Sequence, residues 1–318
     1  MSAQPTVLVT DYVARETATK LVDHLESALP DGVVERATIP EETRDLIEDA
    51  NIVVTNRLPA ELLERAQNLR WVHALSSGVD SYPLEELEER EIVLTNSAGI
   101  HAQPIAEQVL CYMLMFERGL TESVRQQRQS VWERVTAGEL HGQTVGVIGV
   151  GAIGERVAEL CAAFGMEVLG TKRDLEDVPD AVDEIYAADD HHEVLARADY
   201  VVLACPLTDE TQGLIGEREL HVMGRNSVLV NIGRGELADE DALVESLQQG
   251  RIRGAGLDVF ETEPLPRESP LWDLSNVVIT PHMAGSTPHR FDRWLEILEP
   301  NYEAVSEGRL EEMENRVV

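Results

Sequence analysis

Lysine is nearly missing from this chain. Of its 26 basic residues only Lys20 and Lys172 are lysines, the rest being arginines, and they stand against 59 acids for a formal charge of −33. That balance argues against nucleic-acid binding, which calls for a basic patch or stripe. The acids are spread along helix-like stretches such as Glu85-Glu86, Glu88-Glu89, Asp189-Asp190 and Glu311-Glu312, so they read as solvated faces. Such a charge repels itself at low ionic strength and is screened in molar salt, so a salt-rich cytoplasm, as in a halophilic microbe, is expected. Long apolar runs are also lacking: 109–116 and 145–151 fall well short of the roughly 20 residues of a membrane-spanning helix. No basic, apolar leader precedes the strand-like 6–10, and the cytoplasm is the expected address. Cysteine is scarce. Cys111, Cys161 and Cys205 are too scattered for a disulfide framework or a zinc cluster and read as buried thiols. No His, Cys and carboxylate cluster has metal-ligand spacing, so no metal is expected.

What is present is a repeated alternation of β-branched runs and amphipathic segments. Strands are expected at 6–10, 52–55 and 71–74, with helices at 16–26 and 60–67 between them. A second series follows, with strands at 144–148, 167–170, 200–204, 227–231, 255–257 and 277–280 and helices at 152–164 and 239–248. The alternation predicts an α/β protein with two doubly wound parallel sheets. A long apolar helix is expected over 104–118 and a closing amphipathic one over 288–307.

The segment Gly149-Val150-Gly151-Ala152-Ile153-Gly154 follows an apolar strand and opens a helix, the setting in which G-x-G-x-x-G binds a dinucleotide. Gly149 allows the tight turn, Gly151 the close approach of a pyrophosphate, and Gly154 close helix–strand packing, with the helix N-terminus facing the phosphates. The next strand ends Thr171-Lys172-Arg173, where an NAD site would carry an acid. Two cations and a hydroxyl suit a 2′-phosphate, so NADP(H) is preferred. Asp174 can still reach a ribose, which leaves NAD(H) possible.

Three later segments place ionisable residues at strand ends: Asn231-Ile232-Gly233-Arg234-Gly235-Glu236, Leu257-Asp258-Val259-Phe260-Glu261-Thr262-Glu263-Pro264 and Thr280-Pro281-His282. With Ser76-Ser77-Gly78-Val79-Asp80, Asn96-Ser97-Ala98-Gly99, the glycine loop and Cys205-Pro206-Leu207-Thr208, they make the chain resemble the D-isomer-specific 2-hydroxyacid dehydrogenases, which include glyoxylate and hydroxypyruvate reductases. The resemblance runs through nearly the whole chain. It implies two Rossmann-like domains with a cleft between them, a substrate domain of 1–97 plus 286–318, and a dinucleotide domain of 98–285. It also implies a homodimer built on the helix around 104–118, whose run 109–116 would be buried in the contact.

By the same resemblance Arg234, Glu263 and His282 are catalytic. A guanidinium fork holds a 2-oxo acid and offsets charge developing on its carbonyl oxygen. An imidazole titrates near neutrality, which suits His282 to acid–base work, and a paired Glu263 would orient it. Cofactor contacts are implied at Cys205, Pro206, Thr211, Ile232 and at Asp258, the last beside the nicotinamide. For the substrate, Ser76-Ser77-Gly78 offers backbone N–H groups as an anion nest, or is a plain tight turn, and Arg57 lines the cleft. A formate dehydrogenase would carry glutamine at position 263. Some relatives are nucleotide-sensing corepressors that bind protein partners, and slow or absent turnover would distinguish that role.

Overall fold

A computed structural model of the chain describes residues 5–29, 32–79 and 81–318. Its backbone contacts separate two units, one formed by Met1–Ile100 with Thr287–Val318 and the other by His101–Ser286. Asp80 of the serine-glycine segment lies outside the described residues.

In the first unit β1 (Thr6–Val9), α1 (Arg15–Ala28), β2 (Val33–Arg36), α2 (Pro40–Leu46), β3 (Ile52–Thr55), α3 (Ala60–Arg65), β4 (Trp71–Ala74), α4 (Leu84–Glu89) and β5 (Val93–Asn96) follow one another. The five strands form a parallel sheet in the order β2-β1-β3-β4-β5. Every residue of β3 and β4 is buried, as expected of strands covered on both faces. On one face Leu21 and Leu25 of α1 pack with Trp294, Leu298 and Val305 of the closing helix Arg290–Glu307. Leu62, Leu63 and Leu87 help to cover the other face.

β4 also buries a histidine. His73 is fully buried, with Nδ1 2.9 Å from Thr95 Oγ1 and Nε2 3.1 Å from Ser97 Oγ. Trp71 Nε1–H donates to Thr95 Oγ1 at 2.8 Å, and Ser97 Oγ donates to the Ala74 carbonyl at 2.8 Å. Thr95 therefore has its own hydrogen to give to Nδ1, while Ser97 accepts from Nε2–H. Every hydrogen is placed only if the ring is neutral, and burial pushes this imidazole down to about 3. The unfolded chain takes up a proton below about pH 6.5 and the folded one does not, so stability from this group is full above that value and lost as pH falls. Between about pH 7 and pH 5, urea unfolding of the native chain is expected to lose about 2 kcal/mol more than that of His73→Gln.

The second unit contains α5 (Ala102–Glu117), α6 (Leu120–Arg128), β6 (Thr144–Ile148), α7 (Ala152–Ala163), β7 (Glu167–Lys172), β8 (Glu184–Ala187), α8 (His191–Arg197), β9 (Tyr200–Leu203), α9 (Glu217–Val222), β10 (Val228–Asn231), α10 (Glu240–Gln248), β11 (Gly254–Leu257) and β12 (Val277–Ile279). Its seven-stranded parallel sheet runs β12-β11-β10-β9-β6-β7-β8. The order turns back at β6, which pairs with both β7 and β9, and such a switch point opens a crevice at the carboxyl ends of the strands. Asp239 caps α10 by accepting from Ala242 N–H at 2.9 Å.

Two sequence expectations change here. Val109, Leu110, Tyr112 and Met113 of α5 are buried in this unit's own core, so the apolar run is not reserved for a partner. Exposed apolar surface lies farther on, at Leu120, Val124, Val131 and the fully exposed Trp132. Cys161 is buried, but Cys111 is exposed on α5 and Cys205 half-buried. Among the described residues no helix is long and apolar enough to cross a membrane.

Candidate active site

The turn from β6 to α7 is built from glycine. Gly149 has φ +98°, in the left-handed region, and a side chain there would stand 2.7 Å from the Cys205 backbone. A side chain on Gly154 would collide with the Gly149 carbonyl, which sets the helix hard against the strand. At Gly151, just ahead of Ala152 and Ile153, a side chain would project into open space. That space adjoins the N-terminus of a twelve-residue helix, whose free N–H groups and dipole favour anions. The cradle therefore fits the pyrophosphate of a dinucleotide.

Thr171 plays a different part from the one its place beside two cations suggests. It is 2% exposed, its hydroxyl accepts Gly149 N–H at 3.1 Å, and its carbonyl accepts Val150 N–H at 2.8 Å. It pins the glycine turn instead of facing a ribose. Lys172 donates to the Asp177 carbonyl, while exposed Arg173 has no hydrogen bond or ion pair among the described residues. Burial pushes the Cys205 thiol up, and the Arg173 charge acts weakly in the opposite direction. Asp174 accepts from Glu176 N–H at 2.9 Å. After β9, the Thr211 hydroxyl donates to the Pro206 carbonyl at 2.7 Å and accepts Thr208 N–H at 2.8 Å. Thr211 thus braces the loop behind Cys205 and Pro206.

Arg234 follows β10. Buried Asn231 shapes its turn, accepting from Gly233 N–H at 3.1 Å and donating to the Arg234 carbonyl at 2.9 Å, with Ile232 buried between them. The Arg234 guanidinium is exposed and, among the described residues, donates only to the Gly233 carbonyl, at 2.7 Å. In a chain with 59 acids it forms no ion pair among the described residues, leaving most of its fork for an incoming anion.

His282 and Glu263 meet. His282 Nδ1 lies 2.8 Å from Glu263 Oε2, and Glu263 Oε1 accepts Phe260 N–H at 3.1 Å. A carboxylate only accepts, so Nδ1 carries the hydrogen and Nε2 remains for substrate, on a side chain 55% exposed. His282 has φ +48°, and its N–H donates to the Asp258 carbonyl at 2.8 Å. Such a conformation persists only where the surroundings enforce it. Asp258 supplies that enforcement. It is 2% exposed, and its carboxylate accepts Met283 N–H at 2.9 Å, Ala284 N–H at 2.8 Å and the Thr280 hydroxyl, to which Tyr112 of α5 is also hydrogen-bonded. Asp258 consequently anchors the loop bearing His282 in place of standing open to a nicotinamide. Tyr112, Thr280 and Asn231 are positioning residues that the sequence reading missed. The only prior signal was that parallel neighbours would set Thr280 beside Asp258.

In the first unit, Arg57 and Ser76-Ser77-Gly78 lie at the carboxyl ends of adjacent strands β3 and β4. Exposed Arg57 stacks on the Tyr12 ring, 4.6 Å from its centroid. Ser76 Oγ donates to the Gly78 carbonyl at 2.7 Å, and Asn96 Nδ2 donates to the Ser77 carbonyl at 2.8 Å. The N–H groups of Ser76, Ser77 and Gly78 donate to nothing among the described residues, as an anion nest requires.

Known proteins are similar to this chain over most of its length. It is 32% identical to a glyoxylate reductase of Korarchaeum cryptofilum, over 96% of this chain and 94% of that protein. It is 35% identical to a D-3-phosphoglycerate dehydrogenase of Methanocaldococcus jannaschii over 88% of this chain, and spans about half (53%) of that longer protein. Among crystal structures it is similar to a D-lactate dehydrogenase of Aquifex aeolicus complexed with NAD and lactic acid, with TM-score 0.76, 29% identity, and 98% and 99% of the two chains covered. It is also similar to a D-isomer specific 2-hydroxyacid dehydrogenase of Xanthobacter autotrophicus in complex with NADPH, with TM-score 0.81, 28% identity, and 99% and 98% covered. Residues 110–284 match the profile of the D-isomer specific 2-hydroxyacid dehydrogenase NAD binding domain, and the chain belongs to that family of NAD(P)-dependent oxidoreductases.

Proposed function

We propose that this protein interconverts a small 2-oxo acid and its D-2-hydroxy acid, with NADP(H) preferred over NAD(H). The carrying observation is the His282–Glu263 pair, with Arg234, which has no ion pair among the described residues, at the end of β10 beside β11. A bound reduced nicotinamide supplies the hydride to the carbonyl carbon. Arg234 holds the acid's carboxylate and carbonyl oxygens and offsets the charge that develops as the carbonyl is reduced. His282 gives the Nε2 proton to the new alkoxide, and Glu263 stabilises and orients the imidazolium from which it leaves. Asp258 holds the His282 loop through both steps. The free N–H groups of Ser76, Ser77 and Gly78, with Arg57, give the first unit an anion-binding role. The glyoxylate reductase relatives support a compact substrate. With deuterium on the transferring position of NADPH and glyoxylate as acceptor, the product is expected to carry one deuterium at C2, and product without it would refute direct hydride transfer.

The NADP(H) preference rests on Arg173, which is exposed just after β7 and has no hydrogen bond or ion pair among the described residues. Lys172 supports it from the Asp177 carbonyl. Relatives are found with either cofactor. Replacing Arg173 by alanine should raise the KM for NADPH about 10- to 100-fold and leave that for NADH within about two-fold, the loss of a charge-assisted hydrogen bond to a 2′-phosphate. Equal effects on both cofactors in initial-rate measurements would place the arginine elsewhere. A homodimer is part of the same reading, its contact centred on Leu120, Val124, Val131 and Trp132, whose exposed apolar surface is otherwise uncovered. The charge of −33, with arginine in place of lysine, supports a protein adapted to molar salt.

A further inference from the structure

Away from the glycine loop, α8 and α9 bring together side chains for which the reaction has no use. His191 and His192 open α8 with ring centroids 4.3 Å apart, and Glu219 lies in the first turn of α9. One ligand atom from each of the three falls within 4.8 Å of the other two. His192 Nε2 is 3.0 Å from Glu219 Oε1, and Glu219 Oε2 accepts Gly216 N–H at 3.1 Å, which fixes the carboxylate. His191 Nδ1 faces the Ala188 carbonyl at 3.3 Å. A carbonyl only accepts, so Nδ1 carries the hydrogen and Nε2 presents a bare lone pair. That nitrogen is buried and has no hydrogen-bond partner among the described residues.

A purely structural role accounts for His192 and Glu219, which bond each other across two helices. It leaves the His191 acceptor buried and unsatisfied, an unfavourable state. A cation answers it. An imidazole held through Nδ1–H by a backbone carbonyl, with Nε2 unprotonated, has the orientation found in metal-ligating histidines. We propose that His191, His192 and Glu219 bind one divalent transition ion of the zinc type, linking α8 to α9. Two imidazoles and one carboxylate suit zinc, nickel or copper, whereas magnesium and calcium prefer oxygen alone. Tetrahedral ligation with bonds near 2.1 Å sets ligand atoms about 3.4 Å apart, so a group already within 4.8 Å reaches it by side-chain rotation that moves no pair by more than about 1.4 Å. Binding replaces the hydrogen bond between His192 Nε2 and Glu219 by a bond from each to the ion, with the ring hydrogen carried on Nδ1, and the fourth position is left to water.

The test is equilibrium dialysis of the chelator-stripped full chain against Zn²⁺ in molar KCl, where diffuse binding to acidic faces is screened. The native chain should take up one ion more than His191→Ala, and the melting temperature should rise with Zn²⁺ only in the native chain. Co²⁺ bound in place of Zn²⁺ should show visible absorption typical of tetrahedral ligation, lost in His191→Ala. Glu219→Gln, which can still accept from Gly216 N–H, should weaken binding at least about ten-fold. NADPH affinity should be the same in all three proteins. Equal Zn²⁺ uptake by the native chain and His191→Ala, or no uptake by either, would overturn the proposal.

Discussion

Replacing Arg234 by alanine is expected to lower kcat/KM for 2-oxo acid reduction about 100- to 1,000-fold, the usual consequence of removing a donor aimed at developing negative charge. NADPH affinity should not change, because the guanidinium belongs to the β10 turn and not to the glycine loop. Lysine at this position keeps the charge and loses the two-pronged geometry, so it should recover only part of the rate. The distinction is measurable as initial rates over a range of 2-oxo acid concentrations. A similar loss in NADPH binding would mean that the Arg234 turn shapes the unit as a whole. The free guanidinium makes that outcome unexpected, since removing it breaks only one bond, to the neighbouring Gly233 carbonyl.

His282→Ala should lower kcat about 100- to 10,000-fold, the range of a lost general acid–base. Glu263→Gln is the more discriminating change. It removes a negative charge beside the imidazole and leaves an amide whose carbonyl oxygen can still hold the ring, so the orientation survives and the charge does not. Turnover in both directions should therefore fall about ten-fold in Glu263→Gln and further, toward the loss in His282→Ala, in Glu263→Ala, which removes the orientation as well. Equal rates for Glu263→Gln and the native protein would show that the charge has no part in the reaction.

The features legible in sequence were those encoded locally. The glycine loop is a short run whose glycines each have a steric reason, and Gly149, Gly151 and Gly154 keep those reasons in the fold. Fully buried strands such as Ile52–Thr55 and Tyr200–Leu203 announce themselves by runs that are apolar but for the terminal Thr55. The strands not foreseen lie at sheet edges. Val33–Arg36 and Glu184–Ala187 are half polar and incompletely buried, and their pairing depends on a neighbour remote in sequence. Val93–Asn96 closes its sheet and is bridged by Arg316, more than two hundred residues away. Burial decides the rest. Thr171 beside two cations reads as part of a phosphate site, but a hydroxyl that faces inward meets Gly149 instead. Asp258 reads as a cofactor contact, and only the packing of Thr280, Met283 and Ala284 around its carboxylate shows that it holds the histidine loop. His192 and Glu219 are 27 residues apart, a spacing with no recognisable pattern until α8 and α9 are side by side.

The most direct test of the whole account is NADPH oxidation by the native protein in molar KCl with glyoxylate, hydroxypyruvate, pyruvate and branched 2-oxo acids in turn. Turnover with at least one of them, yielding one 2-hydroxy acid per NADPH consumed, is the predicted result. Tight NADPH binding without turnover on any of them would contradict it and would turn the same fold into a nucleotide sensor.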